Sequence, residues 1–241
     1  MSAVPADGGV VVQMPLFSSG QARAAVLHHD VHAISIPARA FTGDFYFTHR
    51  EDDGLWFALG DVAGKGLPAA LVMAMIQEEL EHRIVSCATT GCDPAITMSR
   101  LHTFLKPLVA RNRFATAVIG NLNADGVLAL TNAGHCPPLI VRANGQIEEV
   151  ASTGPVLGIL ASSEWRTFRT RLAPRETVVL YSDGAVEARS SDGEEFGVRR
   201  IAAALSAGAP KEIAEGIVAA VERHSGGVRE DDLTVVVVRR G

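Results

Sequence analysis

The chain has 241 residues, of which 47% are hydrophobic and 20% are charged, and its formal net charge is −5. A chain of this length can bury roughly 70–75% of its unfolded surface, so it needs no cross-links to fold. The negative net charge and the absence of a basic stripe argue against nucleic-acid binding. We therefore expect an ordinary globular protein with no nucleic-acid partner.

The cysteines form no Cys-x-x-Cys pair: they are Cys87, Cys92 and Cys136. An odd number of cysteines without metal spacing is typical of reduced thiols in a reducing compartment. No apolar run is long enough to span a membrane, and the run at Ala69–Ile76 is stopped by a glutamine and two glutamates. The first basic residue is Arg23, which does not fit a secretory signal. These features predict a cytoplasmic protein.

Residues 1–22 contain glycine, serine and proline and are predicted to be a flexible lead-in. Residues 23–241 show no linker and no internal repeat, so we predict one domain there. The first strand is expected over residues 26–36, and its histidines are interpreted as polar residues on an exposed face: His28, His29 and His32. The remaining predicted elements are strands at 45–48, 55–59, 114–122, 126–132, 139–142, 165–172, 177–181 and 233–239, and helices at 67–84, 94–109, 198–205 and 211–224.

Hairpins and helix pairs, rather than alternating strands and helices, follow one another in this order. Strands 45–48 and 55–59 form one predicted hairpin, and strands 114–122 and 126–132 form another. This order favours an α+β fold of layered antiparallel sheets over a doubly wound parallel sheet. The buried face of the first helix is predicted from its apolar spacing to contain Leu71, Ala74, Met75, Leu80 and Ile84.

A strand end, a glycine turn and a helix start follow one another around Asp61. The apolar run Trp56–Leu59 has the length of a strand, and Asp61 lies where it ends. Gly64 and Gly66 permit a tight turn, and Pro68 fits the first turn of a helix. A lone aspartate in such a place is most often a turn former or a helix cap. A catalytic interpretation needs further carboxylates that could meet it.

Other aspartates also lie at the border of an apolar strand: Asp44, Asp183, and Asp231 with Asp232. The first predicted hairpin places Asp44 and Asp61 at the same end of two neighbouring strands. Carboxylates that converge from distant strands repel one another unless a cation neutralises them. Hard divalent cations prefer several carboxylate oxygens and waters, and two such ions can activate a water and clamp a phosphoryl group. The pattern therefore indicates a divalent-metal site.

Two runs carry a specific resemblance: residues 37–46, with Arg39 and Asp44, and residues 60–70, with Asp61. They are similar to the Pro-Ala-Arg-x-x-Gly-Gly-Asp-Phe-Tyr and Gly-Asp-Val-x-Gly-His/Lys-Gly-x-Pro-Ala-Ala motifs of the SpoIIE-type (RsbU-like) serine/threonine phosphatases. These belong to the metal-dependent PPM superfamily. Later family motifs match in the same order, at 132–135, 181–187, 196–197 and 231–234. The resemblance implies an αββα sandwich of two antiparallel β-sheets flanked by helix pairs.

The resemblance also implies two Mn²⁺ or Mg²⁺ ions between the sheets. Asp61 would bridge both ions, and the carbonyl oxygen of Val62 would bind one of them. Asp183 and Asp231 would hold the other ion, while Asp44 would act mainly through a metal-bound water.

Three further residues are assigned by the same resemblance. Asp231 is preferred to its neighbour Asp232 because the family motif aligns its first acid, and because strand alternation would turn the second acid away. Arg39 lies at the spacing from the motif aspartate that a phosphate-binding arginine has, and its planar fork suits phosphate oxygens. An ordinary surface position is the alternative for Arg39. Glu187 aligns with a third-metal position, and a solvated residue is the alternative there.

The chain departs from the family pattern at two positions. Thr42 stands where the family has the first glycine of Gly-Gly-Asp, and Lys65 stands where a histidine is frequent. If that histidine is a general acid elsewhere, this chain lacks it there. His135 is the nearest motif histidine, and we interpret it as ordering its loop by hydrogen bonding rather than as the acid.

The implied function is hydrolysis of phosphoserine or phosphothreonine in a regulatory protein by a two-metal-activated water, without a phosphoenzyme. The family suggests a phosphorylated STAS-domain anti-sigma-factor antagonist, in a partner-switching pathway, as the substrate. The helix pair at 67–109 begins directly after the strand of Asp61 and is predicted to bind a regulatory protein or a second copy, and constitutive activity is the alternative. The alternative is a non-catalytic scaffold that keeps the fold. A P-loop is excluded because residues 60–66 do not fit its spacing.

Overall fold

The computed structural model describes residues 29–51, 54–64, 66–87, 93–108, 114–205 and 207–241. The predicted lead-in at 1–22, His28 and Lys65 lie outside the described residues. The strands are β1 (Asp30–Ile36), β2 (Asp44–Glu51), β3 (Gly54–Val62), β4 (Ala115–Asn123), β5 (Val127–Ala133), β6 (Leu139–Val141), β7 (Ile147–Glu149), β8 (Phe168–Arg171), β9 (Thr177–Tyr181) and β10 (Leu233–Arg239). The helices are α1 (Leu67–Cys87), α2 (Pro94–Leu105), α3 (Asp183–Val186), α4 (Gly197–Ala204) and α5 (Pro210–Ser225).

The described strands form two five-stranded antiparallel sheets. The first sheet has the order β1-β10-β9-β6-β7, and the second has the order β2-β3-β4-β5-β8. In the second sheet β2–β3 and β4–β5 are hairpins, whereas in the first sheet β1 pairs with β10 from the far end of the chain. The last described strand therefore lies beside the first described strand in the same sheet.

Strand alternation divides the core into three apolar layers. On β10, Val236 and Val238 face the second sheet, while Val235 and Val237 face α4 and α5. The outer face of the second sheet packs against α1 and α2, where Ile76 is fully buried. The helices thus cover both outer faces of the sheet pair. The predicted αββα sandwich is confirmed.

The buried face of α1 differs from the predicted one. Leu80 and Ile84 are buried as expected, but Leu71 is 58% exposed and Met75 is 40% exposed. Ala74 is exposed as well. The residues that pack against the second sheet are Ala69, Val72, Ile76, Leu80 and Ile84. The first half of α1 is apolar on nearly every side, so spacing alone could not select the face that packs.

Some smaller features also differ from the predictions. His29 was expected on an exposed face, but it is 3% exposed and its Nε2 lies 2.8 Å from the carbonyl oxygen of Asn123. The three-residue strand β7 and the four-residue helix α3 were not predicted, because so few residues carry no periodicity. Of the described helices, none combines the length and apolarity needed to cross a membrane.

Candidate metal and phosphate site

Asp44 and Asp61 face each other across one end of the β2–β3 hairpin. They are direct cross-strand partners in the antiparallel register. Phe57 and Leu59 of β3 point into the layer between the sheets, and Asp61 falls on the same face by the two-residue alternation of a strand. The hairpin therefore brings both predicted acids to one edge of the inter-sheet layer, as their spacing indicated.

Gly43 occupies a position where a side chain would meet this site. A Cβ at Gly43 would lie 2.6 Å from Asp61 Oδ1 and 3.0 Å from the carbonyl oxygen of Val62. The glycine of the motif thus has a steric reason in this chain. Thr42, the departure from the family pattern, accepts the backbone N–H of Asp44 on its Oγ1 at 3.0 Å. This contact ties down the start of β2.

Asp183 and Asp231 reach the same edge from the first sheet. Asp183 begins α3 one residue after Ser182, which follows the end of β9, and Asp231 lies two residues before β10. Because β9 and β10 are antiparallel neighbours, with Tyr181 paired to Val235, the end of one strand lies beside the start of the other. The sheet topology therefore brings together two acids that are 48 positions apart in sequence, from 183 to 231.

One pocket of about 280 Å³ opens at this edge. Its described lining has an excess of carboxylates, from Asp61, Asp183, Glu230, Asp231 and Asp232. Arg39 supplies a positive charge from the loop that leads into β2, and it is exposed there. Asp44 and Val62 do not line the pocket; they lie behind it and are buried.

The pKa values of the acids show that they share an environment. The pKa of Asp61 rises to about 7, first through burial and then through the charges of Asp183 and Asp231. Burial also raises the pKa of Asp183, with Asp231 as the next cause. Burial raises the pKa of Asp44 well above its ordinary range, although a hydrogen bond from Thr234 opposes the shift. Burial and mutual repulsion therefore both disfavour the ionised state of these acids.

The donor set suits a hard divalent cation by its chemistry. At this edge β2, β3, β9 and β10 each border an aspartate, and carboxylate oxygen is the ligand type that Mg²⁺ and Mn²⁺ prefer. As they stand, no three His, Cys, Asp or Glu side chains of the described ranges are placed closely enough to hold an ion. The mutual repulsion of the acids would be relieved by a cation among them. The cluster therefore fits a divalent metal by the chemistry of its donors, although not by the present spacing of its side chains.

Asp232 has a role that the sequence reasoning missed. It is 7% exposed, and its Oδ1 and Oδ2 accept the backbone N–H groups of Ala38 at 2.8 Å and Gly43 at 3.1 Å. These bonds hold both ends of the loop that carries Arg39. The doubled acid at 231–232 was the available signal, but a backbone partner 194 residues away could not be read from it.

His135 is placed to order its loop. Its Nδ1 lies 2.8 Å from Thr116 Oγ1, and its backbone N–H donates to Asn132 Oδ1 at 2.8 Å. Asn132 Nδ2 in turn donates to the carbonyl oxygen of His135 at 3.1 Å. Burial lowers the pKa of His135 to about 4, so the ring is neutral near pH 7 and does not suit a general acid.

Glu187 lies at the edge of a second cavity of about 310 Å³ that shares Asp231 with the first. The side chain is exposed at the end of α3. Burial and then the charge of Asp183 raise the pKa of Glu187. Glu187 is thus near the acid cluster but outside the pocket that holds it.

A curated relative shares most of this chain. The chain is 28% identical to the phosphoserine phosphatase RsbU of Bacillus subtilis (strain 168). The similarity covers 88% of this chain and 63% of RsbU. The chain therefore spans less than two thirds of the length of this relative.

Solved structures share the fold. The SiaA-PP2C domain of Pseudomonas aeruginosa matches with a TM-score of 0.78 and 23% identity, over 88% of this chain and 86% of that one. RsbX, solved in complex with magnesium, matches with a TM-score of 0.69 and 18% identity, over 89% and 96% of the two chains. At these identities the matches establish the architecture of two antiparallel sheets with flanking helices.

A family model covers most of the sequence. The family is described as Stage II sporulation protein E (SpoIIE), and the match runs over residues 51–241. It includes the strand ends that carry Asp61, Asp183 and Asp231, and it begins after Asp44. With the αββα sandwich and the cluster of acids at its edge, this match shows that the chain belongs to the SpoIIE family.

Proposed function

We propose that this chain is a metal-dependent phosphoserine/phosphothreonine protein phosphatase whose domain spans residues 23–241. The observation that carries the proposal is the convergence of Asp61, Asp183 and Asp231 from both sheets on one pocket, with Arg39 at its rim. Three carboxylates beside an arginine are suited to bind cations and a phosphate together. The RsbU relative, named as a phosphoserine phosphatase, supports the same reaction.

The residues that would hold the ions are those that the resemblance to the family implies. Two divalent cations, Mn²⁺ or Mg²⁺, would be held by Asp61, the carbonyl oxygen of Val62, Asp183 and Asp231. Asp44, buried behind the pocket, would act through a water. Bound divalent cations supply an activated water and neutralise the charge of a phosphoryl group. The RsbX structure, which contains magnesium, is consistent with such a cofactor.

The protein's own groups perform the remaining work. Arg39 presents two N–H donors in one plane, which suits two phosphate oxygens and orients the ester in the pocket. Asp232 holds the loop of Arg39 from behind through two backbone N–H groups. The thiol of Cys136 does not offer a covalent route, because burial raises its pKa to about 12 and so disfavours the thiolate. We therefore propose direct hydrolysis without a phosphoenzyme.

The substrate and location belong to the same proposal. A phosphorylated regulatory protein, of the STAS-domain anti-sigma-factor antagonist class, is the substrate we propose, since the resemblance to RsbU-like phosphatases supports that class. The pocket is open at the sheet edge, so a phosphorylated side chain on a protein surface could enter it. We propose a cytoplasmic location, which the odd number of cysteines in the sequence supports.

A regulatory contact is proposed on the helix pair. Leu67, Leu71 and Met75 recur every four residues on α1 and are 52%, 58% and 40% exposed. Only four residues separate the end of β3, which carries Asp61, from the start of α1. A regulatory protein or a second copy that covers this row would therefore act close to the site. Light scattering of the parent and of Leu71→Asp, alone and with candidate partners, tests this contact.

The activity is tested with the purified full chain, p-nitrophenyl phosphate and a phosphoserine peptide. Hydrolysis should require Mn²⁺ or Mg²⁺, stop with EDTA, and fall to the buffer background in Asp61→Asn and Asp183→Asn. Asp192→Asn, an exposed acid on a turn, is the matched control and should keep the parent rate. Retained turnover in Asp61→Asn or Asp183→Asn would refute the proposal. A folded parent without turnover and without Mn²⁺ binding would favour the non-catalytic scaffold.

A further inference from the structure

We propose that Thr234 is a positioning residue that holds the Asp44 carboxylate across the two sheets and thereby sets the geometry of the metal site, with Ser35 supporting it from behind. The inference rests on the proposed phosphatase function and deepens it. It assigns a role to a hydroxyl that does not line the pocket.

The hydrogen bond between Thr234 and Asp44 is short and buried. Thr234 Oγ1 donates to Asp44 Oδ2 at 2.6 Å, and the two residues are 0% and 4% exposed. A hydroxyl donor to a carboxylate gives one of the stronger hydrogen bonds in a protein. Thr234 is on β10 of the first sheet and Asp44 is on β2 of the second. The bond therefore joins the two sheets at the edge where the acids meet.

Counting protons extends the chain of bonds to a third strand. Threonine has a single hydroxyl proton, and Thr234 directs it to Asp44. Ser35 Oγ lies 3.0 Å from Thr234 Oγ1 and must therefore be the donor in that contact. Ser35 is also the cross-strand partner of Thr234 in the β1–β10 register. The order of donation is Ser35 to Thr234 to Asp44.

The backbone of Thr234 is tied to the acids of the first sheet. Its N–H donates to Ser182 Oγ at 2.9 Å, and its carbonyl oxygen accepts the N–H of Ser182 at 2.9 Å. Ser182 Oγ also donates to the carbonyl oxygen of Asp232 at 2.9 Å. Ser182 directly precedes Asp183 in the chain. Thr234 is thus fixed to the segments that carry the acids of the first sheet, while its hydroxyl fixes an acid of the second sheet.

Packing alone does not account for a threonine at this position. The next inward-facing residues of β10 are Val236 and Val238, both in the apolar inter-sheet core. Valine has nearly the shape of threonine, and burying a hydroxyl costs free energy unless it is hydrogen-bonded. The stiff χ1 of a β-branched side chain also fixes the direction of the hydroxyl. The position therefore depends on the hydroxyl group, which threonine has and valine lacks.

The decisive variants are Thr234→Val, which removes the donor and keeps the shape, and Thr234→Ser, which keeps the donor. Mn²⁺ is titrated calorimetrically into metal-free protein. Thr234→Val should lose about 10- to 100-fold in Mn²⁺ affinity, which is the usual effect of removing a hydrogen-bond partner from the outer shell of a metal site. With p-nitrophenyl phosphate as the substrate, the kcat of the same variant should fall by a larger factor than its KM changes. Thr234→Ser should retain most of the parent affinity. Parent-like Mn²⁺ binding by folded Thr234→Val, or equal losses in the Ser and Val variants, would overturn the inference.

A double-mutant cycle tests whether Thr234 acts through Asp44. In an Asp44→Asn background, Thr234→Val should cause little further loss of Mn²⁺ affinity. A full additional loss in that background would contradict the inference. If Thr234→Val does not fold, Ser35→Ala provides the test, with a smaller loss of affinity expected and no loss contradicting the proposal. A parent protein that binds Mn²⁺ without hydrolysing phosphate esters would refute the phosphatase function. The double-mutant cycle on Mn²⁺ affinity would still test the positioning role of Thr234 in that case.

Discussion

Adjacent aspartates with different partners allow a sharp comparison. Replacing Asp232 by asparagine keeps its shape but leaves one oxygen for two backbone donors, the N–H groups of Ala38 and Gly43. One of these donors then faces the N–H₂ group of the new side chain. A hydrogen bond to a charged group contributes about 1.5–3 kcal/mol. Because Asp232 is 7% exposed, water cannot readily take its place.

The loss should appear in phosphate binding, since the released loop carries Arg39. At 1.4 kcal/mol per factor of ten, the lost bond corresponds to a rise of about 10- to 150-fold in KM and in the inhibition constant of inorganic phosphate. Mn²⁺ affinity should stay near that of the parent. Arg39→Ala should have the same phenotype, and combining it with Asp232→Asn should add little.

Asp231→Asn is the matched comparison, because it removes the neighbouring acid by the same change. It should weaken Mn²⁺ binding, measured by calorimetry on metal-free protein, and leave the loop of Arg39 in place. The two variants should therefore separate metal binding from phosphate binding. An Mn²⁺ loss in Asp232→Asn as large as that in Asp231→Asn would refute the reasoning and make Asp232 a ligand.

Three further outcomes are expected. The pKa of Asp61 is raised from 3.8 to about 7 on folding. In EDTA its contribution to stability is therefore fully present below about pH 3.8 and lost as the pH rises through 7. Thermal unfolding between pH 5 and 8 should show this loss of stability, and Asp61→Asn should reduce the loss, whereas an unchanged profile would contradict the shared environment of the acids. In urea titrations Leu71→Ser should change the free energy of unfolding by no more than about 0.5 kcal/mol, while Ile76→Ala should lower it by about 2–5 kcal/mol. A larger loss of stability in Leu71→Ser than in Ile76→Ala would mean that the predicted face of α1, not the observed one, is buried. Gly43→Ala should weaken Mn²⁺ binding and turnover, because its Cβ would lie 2.6 Å from Asp61 Oδ1. The control is Gly145→Ala, on an open turn where no atom lies within 4 Å of an added Cβ; this variant should bind Mn²⁺ like the parent even if it loses some stability. Parent-like Mn²⁺ binding by Gly43→Ala would refute the steric argument.

The features that followed from local sequence were predicted well. β9 and β10 have the predicted bounds, and the β2–β3 hairpin brings Asp44 and Asp61 together as their positions around the turn required. Motif order also grouped Asp183 and Asp231 with Asp61, and all three line one pocket, while their role as metal ligands stays a prediction. The correct strand bounds and the correct hairpin rest on strong strand periodicity and on turn residues, which are both visible in a single sequence.

The features that depend on tertiary packing were not predictable. The prediction of the buried face of α1 was wrong because Leu71 and Met75 are as apolar as the residues that are buried. The role of Asp232 depends on backbone donors at Ala38 and Gly43, and that of Thr234 on a carboxylate 190 residues away. No pattern in the sequence specifies such partners, because a hydrogen bond between sheets is fixed by how the sheets pack.

The central claim is that acids from separate strands gather around shared cations. Anomalous diffraction from crystals of the full chain soaked in Mn²⁺ tests it directly. The account predicts two Mn²⁺ peaks in the pocket, one or both touching Asp61 and at least one touching Asp183 and Asp231. Mn²⁺ bound away from these three side chains, or no Mn²⁺ in the pocket at saturating concentration, would contradict the account.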